Sequence, residues 1–316
     1  ELRMFKSSTI PSDPVQGVLN AIGLAAEHYG QSIDTFLKSA DTFIHATTRS
    51  INAVLTAQTA KTAFFTTLGH KDILLFREGG RIEPFNFSVD FPAPFVPRSL
   101  TFEINERVDN RGIVIDDLDD GSIEAALNQC QENNVEAIGV CLLWSIANPK
   151  HELRVGELIR KVLPEVPFTL SHQLNPTLRE YRRAISACLD ASLKPLMFEY
   201  LDGLENRLNE AGFHGRVLMV TSQGGIMDAA DVARSPIHSL GSGPAMAPIA
   251  GEHYAKQATD EKSVIIADTG GTSYDVSLVR DGRIPWTRET WLGQRFRGHM
   301  TGFPSVDVKS IGAGGG

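Results

Sequence analysis

Apolar and polar positions along this chain repeat with two different periods. Across residues 15–29, Val18, Leu19, Ile22, Ala25 and Ala26 recur every three or four positions, which predicts a helix. Ser12, Asp13 and Pro14 supply its start and Gly30 its end. Further helices are predicted over residues 122–133, 151–162, 181–210 and 247–257, with Pro195 kinking or dividing the long one. Short apolar runs predict strands at residues 2–5, 43–44, 61–67, 168–171, 217–220 and 284–291, and a pair at 99–104 and 112–115 around a turn. Residues 137–144 (AIGVCLLW) are almost continuously apolar, the pattern of a central parallel strand covered on both faces. Strand, helix, strand over residues 137–171 forms a βαβ unit, so the chain is expected to be α/β.

Against that framework one stretch concentrates polar chemistry. Residues 264–279 read VIIADTGGTSYDVSLV: an apolar run, Asp268, two glycines among hydroxyl residues, Asp275, and a second alternating run. This predicts a hairpin with Asp268, Thr269, Gly270, Gly271, Thr272 and Ser273 at its tip. Glycines there let backbone N–H groups converge on an anion, and the hydroxyls add donors. A carboxylate beside such a nest repels phosphate unless a divalent cation lies between them, which places Asp268 on the Mg²⁺ side. The plainer alternative is a polar β-hairpin with a glycine turn.

Other polar turns follow predicted strands. His45, Ala46, Thr47, Thr48 and Arg49 lie between a strand and a short helix, where open α/β sheets bind ligands; His45 alone equally suits a structural hydrogen bond. Gly241, Ser242 and Gly243, in LGSGPA, precede a helix and would bring N–H groups to an anion. Thr221 to Gly225 is another small polar turn, and His172, Asn175, Arg179, Glu180 and Arg182 crowd a further strand-to-helix junction. Residues 299–307 read as a loop. Asp307, ahead of a closing run of glycines, is a second candidate metal ligand, with a flexible linker as the alternative. Residues 77–97 carry four prolines and four phenylalanines, a loop whose aromatics need burial. Arg77, Glu78 and Arg81 within it either orient a substrate or form a solvated charge cluster. Residues 116–120 are acidic and suit a helix start better than a metal site.

Composition narrows the field. The 316 residues suffice for two domains, and 42% hydrophobic with 22% charged residues is a globular balance. A net charge of −8 argues against nucleic-acid or anionic-membrane surfaces. Cys130, Cys141 and Cys188 form neither a disulfide framework nor a metal pattern, which suggests a reducing, cytoplasmic setting. No run reaches the roughly 18 apolar residues of a membrane span. Both ends look cut, the first inside an apparent strand and the last in a glycine loop.

Taken together, DTGGTSYD (268–275), SSTIPSDPVQGVLNAI (7–22), IHATTRSINAVL (44–55), KTAFFTTLGHKDIL (61–74), SHQLNPTLREYRR (171–183), GSGPA and VDVKSIGAGGG resemble the hydantoinase A / 5-oxoprolinase family. That family includes subunits of acetone and acetophenone carboxylases. The resemblance implies an actin/Hsp70-like (ribonuclease H-like) two-domain α/β core with mixed sheets, divided as 1–175 and 176–316. It also implies ATP with Mg²⁺ or Mn²⁺, a small-molecule substrate, and a B-type partner subunit in a hetero-oligomer. Carried over residue by residue, Thr269, Gly270, Gly271, Thr272 and Ser273 would cradle phosphates, with Gly241, Ser242 and Gly243 on the nucleotide's other side. Asp268 and Asp275 would organise the metal, joined by Asp307. His45, with Thr47, Thr48 and Arg49, would face the substrate. The family's first Asp-x-Gly-Gly-Thr hairpin would precede Glu1, and its adenosine segments would follow Gly316. Tyr274, Arg49 and Ser50 depart from the family's commoner residues. The expected activity is ATP-dependent activation of a cyclic amide, as in a hydantoinase or oxoprolinase. The alternatives are an ATP-dependent ketone carboxylase subunit and a non-catalytic nucleotide-binding scaffold.

Overall fold

The computed structural model describes residues 2–10, 12–79, 83, 85–270, 274–311 and 313. Helix α1 (Pro14–His28) begins where Asp13 accepts a hydrogen bond from the Gln16 N–H at 3.1 Å, an N-cap followed by proline at the first helical position. Strand β1 (Thr42–His45) runs into helix α2 (Arg49–Leu55), and β2 (Thr62–Thr67), buried at every position, follows. Next come β3 (Thr101–Ile104), α3 (Asp120–Glu132), β4 (Ala137–Cys141), α4 (Lys150–Val162) and β5 (Phe168–Leu170). Strands β3, β2, β4 and β5 lie in that order in one parallel sheet, so the βαβ unit read from the sequence is present.

Helix α5 (Glu180–Glu210) packs its first half, wholly buried from Ala184 to Leu193, over β4. The approach is close because Gly139 has no side chain: a Cβ there would sit 2.9 Å from the Cys188 Cα. Pro195 lies inside this helix without dividing it. Salt bridges between Arg207 and Asp13, at 2.7 Å, tie α1 to its far end.

The second half of the chain builds on β6 (Arg216–Val220) and β7 (Ile226–Asp228). β6 pairs in parallel with β1, 170-odd residues earlier, and antiparallel with β7, so β1 crosses to a sheet formed mainly by later residues. Helix α6 (Ser242–Ala258) covers the antiparallel hairpin of β8 (Val264–Thr269) and β9 (Tyr274–Val279), and β10 (Val308–Ile311) pairs with β9. At Gly251 of α6 a Cβ would fall 2.2 Å from Ile266 Cγ1, so a glycine is what lets the helix lie on the hairpin.

Several expected elements differ. Residues 2–5 form no strand, since without a neighbouring strand their backbone has no ladder to join. The segments 101–104 and 114–116 do not pair with each other. Thr101–Ile104 joins β2, while Val114–Asp116 pairs with Arg107–Val108 in a small antiparallel ribbon. In place of one strand over 284–291 there are two separate two-residue strands, Trp286–Thr287 and Trp291–Leu292, paired with Ser305–Val306 and His299–Met300 within the expected loop. Helix α6 starts at Ser242, so the GSGPA turn belongs to its first turn. Among the loop aromatics, Phe91 and Phe95 pack against Phe76 and His299, but Phe85 and Phe87 are exposed. The expected positions of Gly80, Arg81 and Pro84 in that loop lie outside the described residues.

Candidate functional site

β1 and β6 point their carboxyl ends the same way, with His45 opposite Met219. The residues just beyond them therefore share one edge of the sheet, the position where ligands collect in α/β folds. His45 Nε2 lies 2.8 Å from the Tyr200 hydroxyl on α5, and burial pushes the imidazole down to about 4, so it is neutral at pH 7. Burial raises the Tyr200 phenol, against the opposing pull of the Thr47 hydroxyl and Arg49. The Arg49 guanidinium stacks over the Tyr200 ring at 5.2 Å, leaving it as the fixed positive charge beside two neutral groups. Thr47 Oγ1 accepts from the Arg49 N–H at 3.2 Å, and Thr48 Oγ1 accepts from Asn52 Nδ2.

The start of α6 meets this cluster. Gly241, in the left-handed region at φ +79°, turns the chain into the helix without a side-chain cap. Ser242 Oγ then donates to the Thr47 carbonyl at 3.3 Å, and Ser50 and Ser239 hydroxyls are 2.5 Å apart. Gly243 is exposed. Two motifs far apart in sequence, the His45 turn and the Gly241 turn, are thus brought together. The loop Thr221 to Gly225 lines the same edge. Gly224 sits at φ +82°, and a Cβ there would meet Ile249 of α6 at 2.7 Å, so both conformation and space demand glycine.

The hairpin supplies the second half of the predicted constellation. Asp268 and Asp275 are direct partners across β8 and β9; Asp268 is exposed and Asp275 buried. Thr269 ends the first strand and Gly270 follows it, both exposed, whereas the expected phosphate ligands Gly271, Thr272 and Ser273 lie outside the described residues. Asp307 is not brought to this pair. The register places Ser310 beside Asp275 and Val308 beside Ser277, so Asp307 falls three positions along the strand from the Asp268 row, about 10 Å away. There it pairs with Lys309 at 2.5 Å. Among the described residues no group of three His, Cys, Asp or Glu side chains could hold a metal. A Mg²⁺ held by one or two carboxylates and substrate phosphates needs no such cage, and the Asp268–Asp275 pair fits that kind of binding.

The remaining candidates serve the framework. Arg77 donates to the Phe296 and Gly298 carbonyls at 3.0 and 2.8 Å, and Glu78 pairs with Arg182 at 2.6 Å and Arg179 at 3.3 Å. Asp119 caps α3 through the Gly121 N–H, and Asp120 pairs with Arg154 at 2.6 Å, the helix-start reading of the acidic run. At the carboxyl edge of the parallel sheet, sequence reasoning missed two buried pairs: Glu106 with His151 Nδ1 at 2.7 Å, and Glu152 with His172 Nδ1. Glu152 also accepts from Ser171 Oγ and the Leu142 N–H. His172 stood out at its strand-to-helix junction and His151 and Glu152 adjoin at a helix start, but pairings across 20 and 45 positions leave no local pattern. Tyr200 was missed too, being one aromatic in a long helical pattern.

The hydantoinase/oxoprolinase N-terminal region model matches residues 1–163, more than half the chain. The hydantoinase/oxoprolinase model matches residues 183–316. The chain belongs to the hydantoinase/oxoprolinase family. Over its whole length it is 30% identical to the caprolactamase subunit alpha of Pseudomonas jessenii, covering 45% of that protein. It is 31% identical to the acetophenone carboxylase gamma subunit of Aromatoleum aromaticum, again over 100% of the chain and 44% of the relative. The crystal structure of the ATP-dependent caprolactamase from Pseudomonas jessenii matches all of this chain and 45% of its own, at a TM-score of 0.89 and 30% identity. The α/β architecture with parallel and mixed sheets agrees with the actin/Hsp70-like core expected for the family. The chain spans less than half the length of these relatives, and none of its described helices is long and apolar enough to cross a membrane.

Proposed function

We propose that this chain is part of the ATP-dependent subunit of a family enzyme that activates a cyclic-amide carbonyl by phosphoryl transfer before hydrolysis. The observation that carries the reading is the likeness over the whole chain, in sequence and in fold, to an ATP-dependent caprolactamase. In this reading residues 1–175 supply the His45 edge and residues 176–316 the phosphate hairpin. Thr269, Gly270, Gly271, Thr272 and Ser273 cradle the phosphates, and Gly241, Ser242 and Gly243 approach from α6. Asp268 and Asp275 would hold Mg²⁺ or Mn²⁺, which neutralises phosphate charge when bound; Asp307, paired with Lys309, is left out of that role.

The chemistry balances simply. The amide oxygen attacks the γ-phosphorus, the bond to ADP breaks, and the resulting phosphorylated imidate carries a good leaving group. A first water adds at carbon and the ring C–N bond opens, the nitrogen taking up a proton, to leave an acyl phosphate; a second water hydrolyses the acyl phosphate to the carboxylate and free phosphate. Phosphoryl transfer asks a protein mainly for positioning and charge neutralisation. Arg49 orients the substrate side. His45 is neutral at pH 7 but, with burial pushing it down to about 4 and its Nε2 on the Tyr200 hydroxyl, it is a weak base and serves the substrate side by hydrogen bonding and positioning.

A ketone carboxylase is the second reading, favoured by the equal likeness to the acetophenone carboxylase gamma subunit. The complete cytoplasmic assembly, with its B-type partner, decides between them. Hydantoins, 5-oxoproline, other lactams, and ketones with bicarbonate would be offered with ADP release as readout. ADP formation with a lactam alone supports the first reading. Bicarbonate-dependent ADP formation with a ketone supports the second, and no ADP with any of them leaves a scaffold.

A further inference from the structure

Three of the four residues expected to face the substrate converge on a single side chain of α5. Tyr200 is 7% exposed and lies beyond Pro195 in that helix. Its hydroxyl is 2.8 Å from His45 Nε2, its ring face carries the Arg49 guanidinium at 5.2 Å, and the Thr47 hydroxyl is near enough to act on the phenol. Thr48 stands apart, bonded to Asn52. The His45 ring is itself held in place. Phe43 stacks on it with 6.0 Å between centroids, and the Tyr200 ring lies tilted against it at the same distance.

A neutral imidazole carries its proton on one nitrogen, and the bond made by the other nitrogen decides which. Here two arrangements are open: Nε2–H donates to the phenol oxygen, or the phenol O–H donates to Nε2. The surroundings of Tyr200 select the second. Burial raises the phenol and keeps it protonated, while the Thr47 hydroxyl and Arg49 pull the other way and make its O–H a stronger donor. Each hydrogen along the run then has an acceptor. The Arg49 N–H donates to Thr47 Oγ1, the Thr47 hydroxyl to Tyr200, and the Tyr200 hydroxyl to His45 Nε2. The imidazole proton is thereby placed on Nδ1. That nitrogen has no hydrogen-bond partner among the described residues, so it is the one left to meet a ligand, as a donor.

We propose that Tyr200 is the positioning residue of the substrate side: its hydroxyl fixes His45 as the Nδ1–H tautomer, a hydrogen-bond donor to a carbonyl oxygen of the substrate, and its ring face holds Arg49 beside it. The proposal rests on the reading that this edge faces the substrate, and it names the kind of group His45 takes there, an acceptor and not a donor. A carbonyl oxygen has two lone pairs, so one accepts from Nδ1–H while the other is directed at the γ-phosphorus. His45 keeps its proton throughout.

The test is magic-angle-spinning NMR at pH 7 on the full-length protein with its partner subunit, carrying isotope-labelled histidine, in wild type, H45N and Y200F. Signals that H45N loses belong to His45, and correlations to the ring carbons tell Nδ1 from Nε2. Wild type is expected to carry the proton on Nδ1. In Y200F, which removes a single oxygen, the larger share of the signal is expected to move to Nε2–H, the form an unconstrained neutral imidazole prefers. A wild-type proton on Nε2 overturns the proposal, as does a Y200F spectrum unchanged from wild type. Should Y200F fail to fold in a thermal melt, the wild-type spectrum decides alone. In ADP release with hydantoin or L-5-oxoproline, Y200F is expected to raise the substrate KM at least ~10-fold, a loss of about 1.4 kcal/mol, with the KM for ATP within about twofold of wild type. Y200L, which also takes the ring face from Arg49, should raise the substrate KM further. Equal rises in both KM values would make Tyr200 a support of the fold and overturn the proposal. Absence of ADP release with every substrate would overturn the functional reading, while the NMR result stands or falls separately.

Discussion

His45 is where burial acts most directly on chemistry. Its folded value of about 4 lies below the 6.5 of an ordinary imidazole. Between those values the unfolded chain takes up a proton that the native state refuses. The contribution to stability is therefore complete above about pH 6.5 and is lost as pH falls toward about 4. His299, pushed to about 4 by burial with Arg77 adding to it, acts in the same window. An H45N variant is expected to lose melting temperature less steeply between neutral and mildly acidic pH than wild type. An identical slope would count against a buried, neutral His45. At Asp268 the expectation is reversed, because an exposed strand-end carboxylate contributes little to stability. D268N should lower ATP turnover of the complete assembly roughly 100-fold, the scale of removing one charge-stabilising group, while leaving its melting temperature in place. Unchanged turnover would remove Asp268 from the phosphate machinery. The residue types at both positions were readable in the sequence. The Tyr200 partner was not, because it meets His45 across 155 positions.

Elements were legible where side-chain periodicity had room to show itself. The apolar run at 137–144 gave away β4 because both its faces are covered, by the α5 helix on one side and the rest of the core on the other. The helices at 14–28 and 150–162 were marked by a cap or by a strong apolar stripe. Two-residue strands such as Trp286–Thr287 show no alternation, and their pairing is fixed by tertiary contacts that local pattern does not carry. The packing of α5 on β4 turns on Gly139. Alanine would ordinarily stabilise a strand glycine by about 0.5–1 kcal/mol. Here its Cβ would lie 2.7 Å from Cys188 Sγ and 2.9 Å from the Cys188 Cα, and the backbone atom cannot rotate away. Overpacking of this kind costs about 1–3 kcal/mol, so G139A is expected to be net destabilising. A denaturant midpoint equal to or above wild type would show that the helix can shift outward without loss.

At the scale of the whole molecule, contacts between distant segments decide how the pieces are held. The candidate site itself is of this kind: β1 and β6 come from different halves of the sequence, and α6 reaches the Thr47 carbonyl from almost 200 residues away. The motifs were visible one by one, but their convergence needed the strand pairing. Glu78 gives a second long-range junction whose energetics can be measured. It lies in the proline-rich loop, pairs with Arg182 and Arg179 at the start of α5, and Arg182 also reaches Glu289. Arg182 keeps Glu78 below the usual carboxylate range, so its contribution is complete above about pH 4.5 and is lost as pH falls below it. Arg182 is mostly buried, with a side chain 15% exposed, so this pair is less screened than a surface bridge. Removing its carboxylate partner leaves a cation with only Glu289. E78Q is expected to destabilise the protein by about 1–3 kcal/mol, because a charged hydrogen-bond partner is lost from a partly buried site. Protease cleavage within residues 83–97 should also accelerate, since Arg77 and Glu78 are where that loop is anchored to the segment 296–298 and to α5. The loss of stability should shrink in strong salt, where the wild-type pair is itself weakened. A midpoint and cleavage rate that match wild type would mean that the loop's other contacts, those of Phe91, Phe95 and Arg77 among them, hold it without Glu78.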